Sequence, residues 1–174
     1  AFYSRSLRNM LALDAPVGHT LHVPSGEVLP VWEAAQRYRE ARQAVVVVAG
    51  ERYGMGSSRD WAAKGQRLLG IRAVLAVSFE RIHRANLIGM GILPLMLPTG
   101  ISPASLALHP GDQVRIEAGA AAPGSAVSVT VVRADGGAPS RFSARAAVET
   151  QLEATLLREG GVLPAILRKT MQAA

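Results

Sequence analysis

Apolar positions in the first hundred residues follow two alternating patterns. Three short, continuous apolar runs occur at 44–50 ("AVVVVAG"), 71–79 ("IRAVLAVSF") and 92–97 ("ILPLML"). Runs of this kind are typical of parallel strands, and we expect the first two to be buried on both faces. The segments between them, 60–70 and 80–91, have the pattern of helices. This strand–helix–strand–helix–strand order predicts a parallel sheet with crossover helices.

The segment before the first run adds one strand and one further helix. Residues 20–23 ("TLHV") lie between turn signals and form a strand candidate. From Pro30, the sequence "PVWEAAQRYREAR" has the apolar spacing of a helix, and proline suits a first-turn position. The apolar face of this predicted helix consists of Val31, Ala34, Ala35, Tyr38 and Ala41.

The polarity pattern changes beyond residue 100. Residues 112–119, 125–134 and 140–148 alternate between apolar and polar positions, which predicts antiparallel strands that are half exposed. The sequence "ADGGAPS" between the last two is a hairpin signal. The end of the chain predicts two short helices split by Gly160–Gly161. The predicted fold class is therefore a three-layer α/β domain with a parallel core sheet and added antiparallel strands.

Length and composition indicate one globular domain. The chain has 174 residues, of which 49% are hydrophobic, and this is enough for a core of its own. No apolar run approaches the roughly 20 residues of a membrane helix, and the start "AFYSRSLRNM" is not a signal peptide. We therefore expect a cytoplasmic location and no membrane partner. Because an initiator methionine is missing, we expect residues 1–174 to be one domain of a longer enzyme or a separate subunit.

Cysteine, histidine and charge limit the chemistry. The chain has no cysteine, which excludes disulfides, thiolate nucleophiles and cysteine-ligated metals within it. His19 and His22 lie three residues apart, but no ligand cluster completes a site, so we expect no metal here. The net charge of +6 comes mainly from scattered arginines, which suit nucleic acid, an anionic substrate, an acidic partner domain or simply a solvated surface. Few aromatics accompany them, which disfavours a stacking platform for single strands.

Residues 53–65, "YGMGSSRDWAAKG", join the first apolar run to a predicted helix. A glycine-rich turn at a helix start suits an anion, because the first N–H groups lack intrahelical partners and the helix dipole is positive there. The turn lacks the Gly-Lys-Ser/Thr of a P-loop. Gly54, Gly56 and the later Glu80 resemble a dinucleotide fingerprint, but Arg59 replaces the third glycine and would obstruct close packing of the helix.

A carboxylate or an alkoxide fits this turn better. Arg59 carries a planar fork of donors that matches a carboxylate, and Ser57 and Ser58 add short hydroxyl groups beside the backbone N–H groups. The alternative is structural: either serine caps the helix and Asp60 is a favourable first-turn acid, each stabilising by about 1 kcal/mol. The residues alone leave both interpretations open.

Several stretches resemble a known family. "YGMGSSRDWAAKG" and "SFERIHRANLIGMG" are similar to the core of the C-terminal swivelling domain of the aconitase family, without gaps over residues 50–95. "HVPSGEVLPVWEAAQRY" and the closing "VETQLEATLLREGGVLPAILRK" also resemble that domain, so nearly the whole chain is covered. "FYSRSLRNML" and "LLREGGVLPAILRK" look most like the iron–sulfur-dependent 2-methylisocitrate dehydratase branch. The implied fold is the β/β/α swivelling domain shared with isopropylmalate isomerase small subunits.

This resemblance implies an activity and its partners. Family members are hydro-lyases that dehydrate and rehydrate a citrate-like tricarboxylate, here citrate or 2-methylcitrate, at a 4Fe–4S cluster. Three cysteines of other domains hold that cluster, so this chain would be the substrate-closing domain, would not ligate the cluster, and would act with the iron–sulfur domains of the same enzyme.

The resemblance also implies roles for single residues. By position, Ser57 looks like the family's catalytic serine, an alkoxide base for the substrate C–H bond, and Ser58 and Arg59 look like its supporting donors and substrate ligands. A second substrate-binding arginine corresponds best to Arg5, with Arg8 as the alternative. For His83, helix packing or turn bonding is favoured over acid–base chemistry.

Two other functions stay open from the sequence. One is an RNA-binding module, because some aconitase relatives bind RNA when the cluster is lost and this chain is basic. The other is a stand-alone small subunit like that of isopropylmalate isomerases. The length of the aconitase-type match and the missing methionine favour a domain of a longer polypeptide.

Overall fold

A computed structural model describes residues 8–119 and 121–173 of the chain. The strands are β1 (His19–His22), β2 (Glu27–Pro30), β3 (Val45–Ala49), β4 (Ile71–Ala76), β5 (Leu93–Met96), β6 (Gln113–Glu117), β7 (Ala126–Val132) and β8 (Ser140–Ala146). The helices are α1 (Val31–Glu40), α2 (Arg59–Leu68), α3 (Arg81–Gly89), α4 (Pro103–Leu106), α5 (Gln151–Glu159) and α6 (Val162–Ala173). No helix among the described residues is long and apolar enough to cross a membrane.

Six strands form one mixed sheet in the order β3-β4-β5-β8-β7-β6. The first three run parallel, and β8, β7 and β6 continue the sheet antiparallel. The helices α2 and α3 make the crossovers between the parallel strands. The predicted parallel core with added antiparallel strands is thus confirmed, including the hairpin between β7 and β8. β1 and β2 form a separate antiparallel pair.

The core has two apolar clusters, one on each face of β4. Val74 and Ala76 belong to the cluster that also contains residues of α2 and α3. Leu75 points to the opposite cluster, which includes Leu95 of β5 and Val129 of β7. Because two strands separate β4 from β7 in the sheet order, this shared cluster reflects a curled sheet. The result is three layers: antiparallel strands, parallel strands and helices.

The prediction that the first apolar run is buried on both faces is wrong. The run does form β3, but all five residues of this strand are only half-buried. The reason is its position at the edge of the sheet, where β4 is its one neighbour among the described strands. β4 lies inside the sheet, and all of its residues except Arg72 are buried. Apolar composition alone does not distinguish an edge strand from a central one.

Smaller differences occur near the element ends. The strand expected at 20–23 lies one residue earlier, and its partner β2 was not predicted. Pro30 ends β2 and precedes α1 instead of lying in the first helical turn. The short helix α4, capped by Ser102, was also missed. Gly160 and Gly161 separate α5 from α6 as predicted.

Candidate active site

The turn between β3 and α2, residues 50–58, is held by the segment that follows β4. The backbone N–H of Tyr53 donates to the carbonyl of Ser78 at 2.9 Å, and the N–H of Glu80 donates to the carbonyl of Tyr53 at 2.9 Å. The N–H of Arg52 donates to the Ser78 hydroxyl at 2.8 Å. These bonds fix the turn at the carboxyl ends of two neighbouring parallel strands, where open α/β sheets bind their ligands.

His83 of α3 lies directly beneath this turn. A Cβ atom on Gly54, whose φ is +95°, would stand 2.3 Å from the imidazole carbons. Only glycine allows the chain to pass the ring so closely in this conformation. Tyr53 packs edge-on against the same ring, with centroids 5.4 Å apart.

The hydrogen bonds of His83 define its protonation. Its Nδ1 lies 3.1 Å from the carbonyl oxygen of Arg59, and because a carbonyl only accepts, Nδ1 carries the proton. Its Nε2 lies 3.3 Å from the amide nitrogen of Gln66, which donates to it. Burial lowers the pKa of His83 and favours this neutral ring. His83 thus packs against Gly54 of the turn and bonds the first residue of α2, which agrees with the structural interpretation of this residue.

Ser57 and Ser58 lie on the wall of a cavity of about 390 Å³, which Arg59, Gln66 and His83 also line. Both serines are exposed and directly precede α2, whose amino end carries partial positive charge. Ser58 occupies the N-cap position, but in the described part of the chain its side chain makes no capping bond. The structure therefore does not support the capping alternative for this serine. Asp60 is an exposed acid in the first turn of α2.

Arg59 is held on two sides. Its Nε donates to the carbonyl of Gly56 at 3.2 Å, and its Nη1 lies 3.1 Å from Oε2 of Glu80. The Arg59 side chain is 28% exposed, so the guanidinium still reaches solvent. Sequence reasoning considered Glu80 only as the acid of a dinucleotide site. In the structure Glu80 caps α3 and pairs with Arg59, which is incompatible with that interpretation.

The structure thus brings three of the four predicted site residues to one cavity: Ser57, Ser58 and Arg59. Arg5 lies outside the described residues, and its role stays a prediction. Arg8 is exposed. Glu80 and Gln66 were missed as neighbours of the site, and their local sequence carries no signal for either contact.

The histidine pair near the start of the chain makes local bonds. Nδ1 of His19 lies 3.2 Å from the carbonyl of Val17, and Nδ1 of His22 lies 2.8 Å from the Ser25 hydroxyl. No group of three or more His, Cys, Asp or Glu side chains that could hold a metal occurs among residues 8–119 and 121–173.

The fold and the cavity define a three-layer α/β domain with a Ser-Ser-Arg turn at the start of a helix. The family described as the aconitase C-terminal domain matches residues 1–100, more than half of the chain, and the chain belongs to this family. The family prediction from the turn and α3 motifs is confirmed. The finer assignment to the 2-methylisocitrate dehydratase branch stays a prediction.

Individual relatives agree with this family. Aconitate hydratase A of Escherichia coli (strain K12) is 42% identical over 172 residues, which is 98% of this chain and 19% of that protein. Aconitate hydratase A of Pseudomonas aeruginosa is 47% identical over 172 residues, with the same coverage. Phosphinomethylmalate isomerase of Streptomyces viridochromogenes is 47% identical over 173 residues, which is 99% of this chain and 19% of that protein. The chain spans about a fifth of the length of these relatives.

A solved structure was also found, the 3-isopropylmalate dehydratase (leuD) of Methanocaldococcus jannaschii. It covers 83% of this chain and 82% of its own, with 23% sequence identity and a TM-score of 0.47.

Proposed function

We propose that this chain is the substrate-closing domain of an aconitase-type hydro-lyase, which dehydrates and rehydrates a citrate-like tricarboxylate. The observation that carries the proposal is the cavity wall itself. Ser57, Ser58 and Arg59 are adjacent there, both serine residues are exposed, and α2 begins at Arg59 directly after them. Membership of the aconitase C-terminal domain family and relatives named aconitate hydratase support the same activity.

The arrangement suits proton abstraction next to a carboxylate. Ser57 acts as an alkoxide base that takes a proton from a substrate carbon. The partial positive charge at the start of α2 stabilises the negative oxygen, and Ser58 and Arg59 add donors beside it. Arg59 also binds a substrate carboxylate through its planar donors, and Arg5 supplies a second such contact.

The 4Fe–4S cluster implied by the resemblance does not fit this chain. Such clusters are held by cysteine thiolates, and the sequence contains no cysteine. The cluster would therefore be held by iron–sulfur domains elsewhere in the same enzyme. The roles proposed for Ser57, Ser58 and Arg59 involve no step at the cluster.

The proposed substrate is either 2-methylcitrate or citrate. The likeness of residues 2–11 and 156–169 to the 2-methylisocitrate dehydratase branch is the reason for including 2-methylcitrate. A single methyl group in a pocket gives only about 10- to 200-fold discrimination, so both compounds are expected to react. The ratio of kcat/KM for the two substrates in the longer enzyme tests this part of the proposal.

The chain alone provides the test of its role as a closing domain. We expect the purified chain to contain no iron and to leave aconitate unchanged, whereas the longer polypeptide that carries it hydrates aconitate. The measurement is loss of aconitate absorbance, with iron analysis of both samples. Hydration of aconitate by the chain alone, free of other protein, would contradict the proposal. A complete enzyme that contains its iron–sulfur cluster but converts neither citrate nor 2-methylcitrate would also contradict it.

A further inference from the structure

The amino end of α3 contacts Arg59 at two separate points. The carboxylate of Glu80, the N-cap of α3, lies 3.1 Å from Nη1 of Arg59. The imidazole of His83, in the first turn of α3, donates to the backbone carbonyl of Arg59 at 3.1 Å. The side chain and the backbone of Arg59 are therefore held by the same end of one helix.

The carboxylate of Glu80 is itself fixed. Its Oε2 accepts the backbone N–H of Ile82 at 2.9 Å and that of His83 at 3.4 Å. The backbone N–H of Glu80 donates to Tyr53 in the candidate site turn at 2.9 Å. The Glu80 side chain is 24% exposed. Both the carboxylate and the backbone of Glu80 are thus held by hydrogen bonds. The carboxylate therefore has little conformational freedom and is a rigid partner for the long side chain of Arg59.

The contacts of Arg59 occupy only part of its donors. Nε donates to Gly56 and Nη1 pairs with Glu80, whereas Nη2 has no partner within the described residues. Nη2 carries two N–H groups. The guanidinium can thus bind a second carboxylate without leaving Glu80.

We propose that Glu80 is a positioning residue that holds the Arg59 guanidinium ready for a substrate carboxylate. The inference rests on the proposed function, because it takes Arg59 as a carboxylate ligand. Without Glu80, the bond from Nε to the Gly56 carbonyl is the remaining contact of the Arg59 side chain described above, so the guanidinium adopts more rotamers, and ordering it on binding weakens the affinity. Two other roles are conceivable for Glu80: it competes with the substrate for Arg59, or it only caps α3.

The test is Glu80→Gln in the complete enzyme, which is this chain together with the iron–sulfur domains proposed above. A glutamine oxygen still accepts the two N–H groups of α3, so the cap is kept while the negative charge that pairs with Arg59 is removed. Partly exposed ion pairs have modest strength, so we expect the KM for aconitate to rise about three- to fivefold. We expect kcat to change less than KM, because the substrate carboxylate is bound in ground state and transition state alike. The melting temperature is expected to stay close to that of the parent.

The matched control is Asp60→Asn. It removes an equal charge from the residue next to Arg59, and Asp60 is exposed. Loss of a negative charge near an anion site by itself strengthens anion binding, so the control is expected to show an unchanged or lower KM. A KM that rises for Glu80→Gln and not for Asp60→Asn supports the positioning role.

Other outcomes overturn the inference. An unchanged KM for Glu80→Gln means that the negative charge of Glu80 does not position Arg59, and a lower KM relative to Asp60→Asn means that Glu80 competes with substrate. If Glu80→Gln is poorly folded, Glu80→Asp replaces it, because aspartate caps well but its shorter side chain does not reach as far. A parent-like KM for Glu80→Asp then contradicts the proposal.

Arg59→Lys separates this inference from the proposed function. If Arg59→Lys leaves KM and kcat unchanged, Arg59 is not a substrate ligand and the proposed role of the turn fails. If Arg59→Lys raises KM and Glu80→Gln does not, only the positioning role fails. When Arg59 is already lysine, Glu80→Gln is expected to raise KM little further. The effects of two substitutions that act through one contact are not additive.

Discussion

The terminal nitrogens of Arg84 lie 2.9 and 3.1 Å from the two carboxylate oxygens of Glu153, which ties α3 to α5. Nη1 of Arg84 also donates to the carbonyl of Ala147 at 2.9 Å. The two side chains are only 10% and 17% exposed. This pair therefore links the helix beneath the candidate site to the C-terminal helices.

Arg84→Gln is expected to lower the free energy of unfolding by about 3 kcal/mol, because it leaves the carboxylate of Glu153, only 17% exposed, without its charged partner. Urea denaturation of the chain measures this change. Arg81→Gln is the control, since Arg81 is an exposed residue of the same helix and should cost less than about 0.5 kcal/mol. Equal losses for the two variants would show that the pair contributes little.

Ser57→Ala in the complete enzyme is expected to lower kcat at least about 10³-fold while substrate affinity changes little, because a lost base removes a transition-state interaction. Steady-state kinetics with aconitate measure both constants. Ser143→Ala, at an exposed position on β8, is the matched control and should behave as the parent. Near-normal kcat with a reduced melting temperature would instead indicate a structural serine.

Arg59→Lys is expected to weaken substrate binding about 10- to 150-fold, because lysine keeps the charge but loses the planar fork, at about 1.5–3 kcal/mol per charge-assisted bond. A further loss in kcat is expected if Arg59 supports the Ser57 alkoxide. Circular dichroism checks the fold, and Arg141→Lys on the exposed face of β8 is the control. If KM and kcat of Arg59→Lys stay within about threefold of the parent values, Arg59 does not bind substrate and is only a surface charge.

Gly54→Ala is expected to destabilise the chain by about 3 kcal/mol, because its Cβ would overlap the His83 ring and φ is +95°. Gly56→Ala is the matched control on the same turn, since its Cβ would meet nothing within 4 Å and its φ is not in the left-handed region. Thermal unfolding of both variants gives the comparison. Similar stabilities would mean that the ring moves away from the turn at little cost.

His83 is expected to make stability depend on pH below its ordinary pKa of 6.5. Burial lowers the pKa of His83, so the folded chain binds fewer protons than the unfolded chain between the lowered value and 6.5. The contribution is therefore complete above pH 6.5 and is lost as the pH falls through the folded pKa. Urea denaturation at several pH values down to about 5 measures how the free energy of unfolding changes with pH.

His83→Asn is the control for this slope, because its amide does not titrate but can still donate to the Arg59 carbonyl. Carboxyl groups contribute at lower pH. Burial would raise the pKa of Glu153, but the hydrogen bonds from Arg84 and from the backbone, together with the positive charge of Arg84, outweigh burial and lower this pKa from its ordinary value of 4.5. If the free energy of unfolding of His83→Asn changes with pH between 6.5 and 5 as steeply as that of the parent, groups other than His83 cause the pH dependence.

Local patterns predicted most of the fold because they report which side of each element is buried. The alternation that buries Val127, Val129 and Val131 in β7 is visible in the sequence, and so is the glycine-rich turn before α2. The burial of β3 was not predictable, since its composition is that of a central strand and only the sheet order places it at an edge.

The site was predictable only in part for a similar reason. Ser57, Ser58 and Arg59 are consecutive and start a helix, so their proximity follows from local sequence. The contacts of Arg59 with Glu80 and of Gln66 with His83 join residues of different elements. They depend on how α2 packs against α3, which no local pattern contains.

The edge position of β3 has a practical consequence for the isolated chain. Among the described strands β3 pairs with β4 alone, so one row of its N–H and C=O groups faces away from the sheet, on a strand of five half-buried apolar residues. An edge of this composition that is unpaired among the described strands is a template for a strand of another molecule. Dilute samples of the isolated chain should therefore stay in solution, whereas concentrated samples should become turbid as β3 strands of different molecules pair at their edges. This strand contains none of the proposed site residues.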